Sequence, residues 1–154
     1  TGYLDLFFSE EGLTYLYENL NDNIYDLLIN QYLIVRSEDG EIVDRLCWTG
    51  ETFRPVKFYT LSSHYLGEIK PKSGDIYQVL AIDSLMNNQI TLLKGPAGTG
   101  KSILSLSCLF HLLEKHKIDK IIDGTATLTD DDAGVGENDN NSISREEIDD
   151  VLSK

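Results

Sequence analysis

One eight-residue stretch constrains the fold of this chain more than any other: Gly95-Pro96-Ala97-Gly98-Thr99-Gly100-Lys101-Ser102. It satisfies G-x-x-x-x-G-K-[ST], the phosphate-loop (Walker A) pattern, at every required position. The residue types follow from the chemistry. Small residues let the backbone curl until successive N–H groups face one anionic centre. A helix that follows points its positive end at the same place. In such a turn Lys101 reaches the β and γ phosphates of a nucleotide and Ser102 ligates Mg²⁺. The backbone of residues 98–101 cradles the β phosphate.

A loop of this kind needs a strand before it and a helix after it. Ile90-Thr91-Leu92-Leu93 is a short apolar run that reads as a buried strand. Ile103 to His116 holds helix formers without Gly or Pro. Ile118 to Ile122 then reads as a second strand, which a right-handed crossover sets parallel to the first. The expected fold class is α/β: an incomplete P-loop NTPase core, a β-α-β unit carrying the phosphate loop.

The residues ahead of it read as a helix and a small antiparallel meander. Ser9 through Leu28 carries an apolar stripe of Leu13, Leu16, Tyr17 and Leu20, with an interruption at Asn19 to Asn23. Tyr32 to Val35 and Glu41 to Trp48 are strands around the turn signal Ser37-Glu38-Asp39-Gly40. A third strand runs from Phe53 through Tyr59, and Pro55 puts it at an edge. Trp48, Phe53, Phe58 and Tyr59 are read as the core of this sheet. Leu61 to Gly74 is a connector. Asp75 to Met86 is a helix with Asp75 as N-cap and Ile76, Val79, Leu80, Ile82 and Leu85 as its apolar positions.

Charge separates the end of the chain from the rest. The net charge is −13; residues 123–154 hold ten acids and two bases, against sixteen and eleven before them. Neither part shows the basic footprint of a nucleic-acid binder. From residue 123 to 141 the sequence is rich in Asp, Asn, Gly and Thr, and it cannot bury enough surface to offset chain entropy. Asp130 to Gly136 lacks the alternating spacing and terminal Glu of an EF-hand calcium loop. Ser144-Arg145-Glu146-Glu147 is a capping box ahead of Ile148, Val151 and Leu152, so a short terminal helix is expected. The organisation read from the sequence is residues 1–60 as a helix with a β-rich lead-in, 61–122 as a partial NTPase core, and 123–154 as a flexible acidic tail.

Cys47 and Cys108 are too few and too far apart for a disulfide framework or a zinc site. A reducing cytoplasm suits them, and no apolar run approaches the length of a membrane span. Cys108 is expected in the core of its helix. His64, His111 and His116 have no sequence-visible metal or catalytic partner and read as solvated or capping residues.

Ile69-Lys70-Pro71, Gln78 and the phosphate loop together resemble the PhoH-like ATPases. The resemblance is closest to forms in which a PIN ribonuclease domain precedes the ATPase. Thr1-Gly2-Tyr3, Cys47-Trp48-Thr49-Gly50 and Tyr65-Leu66-Gly67-Glu68 fit the same pattern, which covers about residues 1–122. The resemblance implies an ATPase core related to superfamily 1 helicases, linked in fused forms to RNA unwinding and cleavage. It implies ATP and Mg²⁺ as cofactors, RNA as a partner through a longer parent protein, and a homo-oligomer as a further partner state. It also places Gln78 against the adenine edge, where an amide both donates and accepts. The acidic strand end, sensor and arginine that the family carries after this point are not recognisable beyond Ile122. The resulting expectation is the N-terminal portion of such an ATPase joined to an unrelated acidic tail, binding Mg·ATP with little or no hydrolysis alone. The alternative is a non-enzymatic interaction protein with a relic phosphate loop and a partner-docking acidic tail.

Overall fold

The computed structural model describes residues 2–72, 74–115, 117–118, 120–122 and 142–144. They fall into two compact units, 1–59 with 71–93 and 60–70 with 94–154.

The first unit is built on a four-stranded sheet in the order β1-β2-β3-β4. Its strands are β1 (Tyr3–Phe8), β2 (Tyr32–Ser37), β3 (Ile42–Trp48) and β4 (Phe53–Pro55). β1 pairs parallel to β2, and the other two pairings are antiparallel. The parallel pair is joined through α1 (Glu10–Glu18), so a β-α-β crossover does occur, but at the start of the chain. Ser9 caps α1 by accepting from the Gly12 N–H.

Alternation along β2 sends side chains to both faces of the sheet. Leu33 and Val35 join Leu16 of α1, Leu46, Trp48 and Phe53 on one face. Tyr32 and Ile34 join Cys47 and Val56 on the other, against Ile76, Val79 and Leu80 of α2 (Ile76–Asn87). Asp75 caps α2 by accepting from the N–H groups of Tyr77 and Gln78. A sheet covered on both faces explains why Tyr32 to Val35 are all buried. Burying each large apolar side chain stabilises the fold by about 1.5–3 kcal/mol.

One polar cluster interrupts that apolar interior. Asp83 of α2 is completely buried. Its carboxylate accepts from the Tyr32 hydroxyl at 2.8 Å and from Arg54 Nη1 and Nη2 at 3.1 and 2.7 Å. The Lys57 N–H adds a contact at 3.3 Å. The four donors offset the desolvation of the charge.

The second unit contains the hairpin β5 (Leu61–Ser63) with β6 (Gly67–Ile69), and α3 (Lys101–Glu114). It also contains β7 (Lys120–Ile122) and β8 (Ser142–Ser144), which pair antiparallel. The hairpin docks on α3. The Ser62 N–H lies 3.1 Å from His111 Nδ1, and the His64 N–H donates to Glu114 Oε1 at 2.7 Å. Tyr65 stacks on Phe110 with ring centroids 5.2 Å apart.

Several expectations are corrected. The helix over Ser9 to Leu28 stops at Glu18. Beyond the interruption, Ile24 to Leu28 is not helical: the Asn23 side chain bonds both the N–H and the C=O of Leu27, and Asp26 takes a φ of 57°. The meander is real over β2 to β4, with Pro55 on the edge strand, but β1 adds a parallel strand to it. The third strand ends at Pro55, and Phe58 is 64% exposed beneath the Arg45 guanidinium. The connector over Leu61 to Gly74 contains the β5–β6 hairpin.

The largest correction concerns the phosphate-loop surroundings. Residues 90–93 form no strand, and Ile90 and Leu92 are 90% and 79% exposed. Among the described residues, none pairs with them. A strand exists only through a ladder partner, and an apolar run cannot supply one. β7 pairs with β8 instead, so the β-α-β unit expected across 90–122 is not formed by these strands. Ser144 ends β8. The flexible stretch over 123–141, the acidic run at 130–136, the terminal helix and His116 lie outside the described residues.

Candidate functional site

Residues 95–99 form one exposed turn that runs through half-buried Gly100 into α3, all within the second unit. Gly98 and Gly100 carry the bend with φ of +79° and +84°, values that L side chains rarely adopt. A side chain at Gly95 would meet the loop at ordinary contact distance. A Cβ there would sit 3.4 Å from Thr99 Oγ1 and 3.8 Å from Lys101 Cδ.

The α3 N-terminus differs from those of α1 and α2. α1 and α2 have side-chain oxygens at the N-cap, whereas Gly100 caps α3 with no side-chain hydrogen bond. The first N–H groups of any helix need an acceptor from outside it. Here they open onto the exposed loop, together with the positive end of a 14-residue helix.

Lys101 folds back over the same turn. Its ammonium donates to Gly95 O at 2.7 Å and Pro96 O at 2.6 Å, with Thr99 Oγ1 at 3.4 Å. That arrangement accounts for all three ammonium hydrogens. Thr99 Oγ1 itself donates to Pro96 O at 2.9 Å. Ser102 is exposed at the second position of the helix, and Pro96 and Ala97 line the exposed outer bend. The loop therefore presents one cation, a hydroxyl and uncapped amides on a single small surface.

α3 is anchored behind the loop by its buried side: Leu104, Ser107, Cys108, Phe110 and Leu113. Cys108 takes the core position expected of it, and burial pushes its thiol up to about 12. Its Cys47 counterpart in the first unit is also raised by burial. Both cysteines are free.

Gln78 belongs to the first unit, near the start of α2. Its Oε1 accepts from the Lys72 N–H at 2.7 Å. His111, read from the sequence as a solvated or capping residue, and Glu114, which that reading did not single out, hold the β5–β6 hairpin to the helix that follows the loop. Their helical spacing of three was visible in the sequence; the hairpin they meet was not. Among the described residues, no group of three or more His, Cys, Asp or Glu is placed to hold a metal ion.

Residues 68–139 match the family described as PhoH-like protein. Over those residues the chain is similar to the PhoH-like family. The match takes in α2, the loop and α3, and it spans a little under half of the chain. It runs past Ile122, so residues 123–139 of the acidic stretch lie within it. No curated protein and no solved structure matches the chain. The match points to a P-loop ATPase-related protein, and the described structure is mixed α/β. No helix among its described residues is long and apolar enough to cross a membrane.

Proposed function

We propose that this PhoH-like chain binds Mg·ATP at Gly95–Ser102. The carrying observation is the start of α3: a glycine N-cap in the left-handed conformation, no side-chain cap, and an exposed loop in front. A polyphosphate supplies the acceptors that an N-cap side chain supplies elsewhere. Lys101 gives up its loop carbonyls to hold the β and γ phosphates. Ser102 ligates Mg²⁺, which neutralises phosphate charge when bound.

Phosphoryl transfer also needs a positioned water and further charge neutralisation. The loop supplies the cradle and one Mg²⁺ ligand, so binding with little or no turnover is the activity proposed for this chain alone. Calorimetry tests the binding site. The wild-type chain should bind Mg·ATP, and Lys101→Ala should lose the heat signal while keeping its helical circular dichroism. Equal affinity in the two proteins would overturn the assignment.

A further inference from the structure

We propose that Thr99 is a positioning residue: its hydroxyl pins the loop's curl, so Lys101 can be handed to a polyphosphate without the turn opening. The inference rests on the phosphate-loop reading above.

Two side chains close this turn on itself, and both use the same carbonyl. Pro96 O accepts from Lys101 Nζ at 2.6 Å and from Thr99 Oγ1 at 2.9 Å. A carbonyl oxygen has two lone pairs, so the contacts coexist. Their roles differ once an anion arrives. The ammonium is the group a phosphate attracts, and moving it removes its bonds to Gly95 O and Pro96 O. The Thr99 hydroxyl is neutral and has a single hydrogen, already committed to Pro96 O. Its bond spans the outer bend from position 96 to 99 and remains when the lysine leaves.

The curl it holds is a costly one. Gly98 and Gly100, on either side of Thr99, both sit at positive φ. Glycine loses more backbone freedom on ordering than any other residue, so a loop with two such positions needs a fastening. Packing does not provide it, because residues 95–99 are all exposed.

The test compares wild type, Thr99→Val, Thr99→Ser and Lys101→Ala. Two quantities are read: Mg·ATP affinity by calorimetry, and ligand-free amide exchange of residues 98–101 by NMR. Valine keeps the shape and removes the hydroxyl; serine restores it. One neutral hydrogen bond corresponds to about a five- to tenfold change in either quantity. The expected result is faster ligand-free exchange and weaker binding in Thr99→Val, both recovered in Thr99→Ser. Weaker binding with unchanged exchange would overturn the proposal, since the hydroxyl would then act on the ligand. Unchanged affinity in Thr99→Val, whatever its exchange, would also overturn it, while loss in Lys101→Ala would leave the phosphate-loop reading standing. A wild-type chain that binds no Mg·ATP would overturn both.

Discussion

Replacing Asp83 should damage the first unit more than any other single change to a charged residue there. Its carboxylate is wholly buried and takes donors from β2, from β4 and from the segment after it. Breaking a buried ion pair by removing one partner costs about 3–5 kcal/mol. Two features of the structure adjust that figure. Arg54 is 29% exposed, so its guanidinium regains some water and the ion-pair loss falls at the lower end. The Tyr32 hydroxyl belongs to a residue only 5% exposed, and leaving it unpaired adds about 1–3 kcal/mol. Asp83→Ala is therefore expected to lose about 4 kcal/mol. Asp83→Asn keeps an acceptor for Tyr32 and forfeits the charge, for a loss of about 2 kcal/mol. The assay is urea unfolding followed by tryptophan fluorescence. The chain has a single tryptophan, Trp48, buried in the same sheet, so the signal reports this unit. If both variants unfold within about 0.5 kcal/mol of wild type, the cluster is not what holds α2 to the sheet.

Alkaline pH should weaken the same unit. Tyr17 and Tyr32 are held well above the ordinary phenol value of 10.0, by burial first and then by Asp44 and Asp83 respectively. Unfolded, both ionise near pH 10 while the folded chain keeps its protons, so stability is full below pH 10 and falls as pH rises above it. Tyr32→Phe should flatten that fall in urea melts taken between pH 9 and 11.5; an unchanged slope would contradict the argument. Cys47 and Cys108 are buried with raised thiol pKa values, so neither should react with a thiol reagent in the native chain at pH 8. Both should titrate in urea, and rapid native labelling of either would show its helix or strand opening readily.

What the sequence made legible was what local chemistry decides. The glycine bend ahead of α3, the Asp75 cap, the Gly40 turn and the edge position of Pro55 each follow from a few neighbouring residues, and each stands in the structure. Strand β1 carried a signal in its run of aromatic and aliphatic residues from Tyr3 to Phe8, which went unread because no turn separates it from α1. Asp83 was invisible for a physical reason. An aspartate between Ile82 and Ser84 looks solvated until Tyr32 and Arg54, far away in sequence, are brought to it. Residues 90–93 fail in the opposite sense. Their apolar content suggested burial, yet burial needs a neighbour that the run itself does not encode. The glycine bend of the loop was readable from its spacing; the Thr99 contact with Pro96 was not, because a hydroxyl has several acceptors within reach of any turn.

The division of the chain has a consequence for its synthesis. Residues 60–70 leave the ribosome between two portions of the other unit, while the helix they fasten to, Lys101–Glu114, emerges only later. At about 5–20 residues per second the β5–β6 hairpin waits on the order of several seconds for that helix. A nascent chain paused inside this window carries a finished sheet and an orphaned hairpin. Because the backbone passes between the units at three places, no single protease cut can release either one as a continuous fragment.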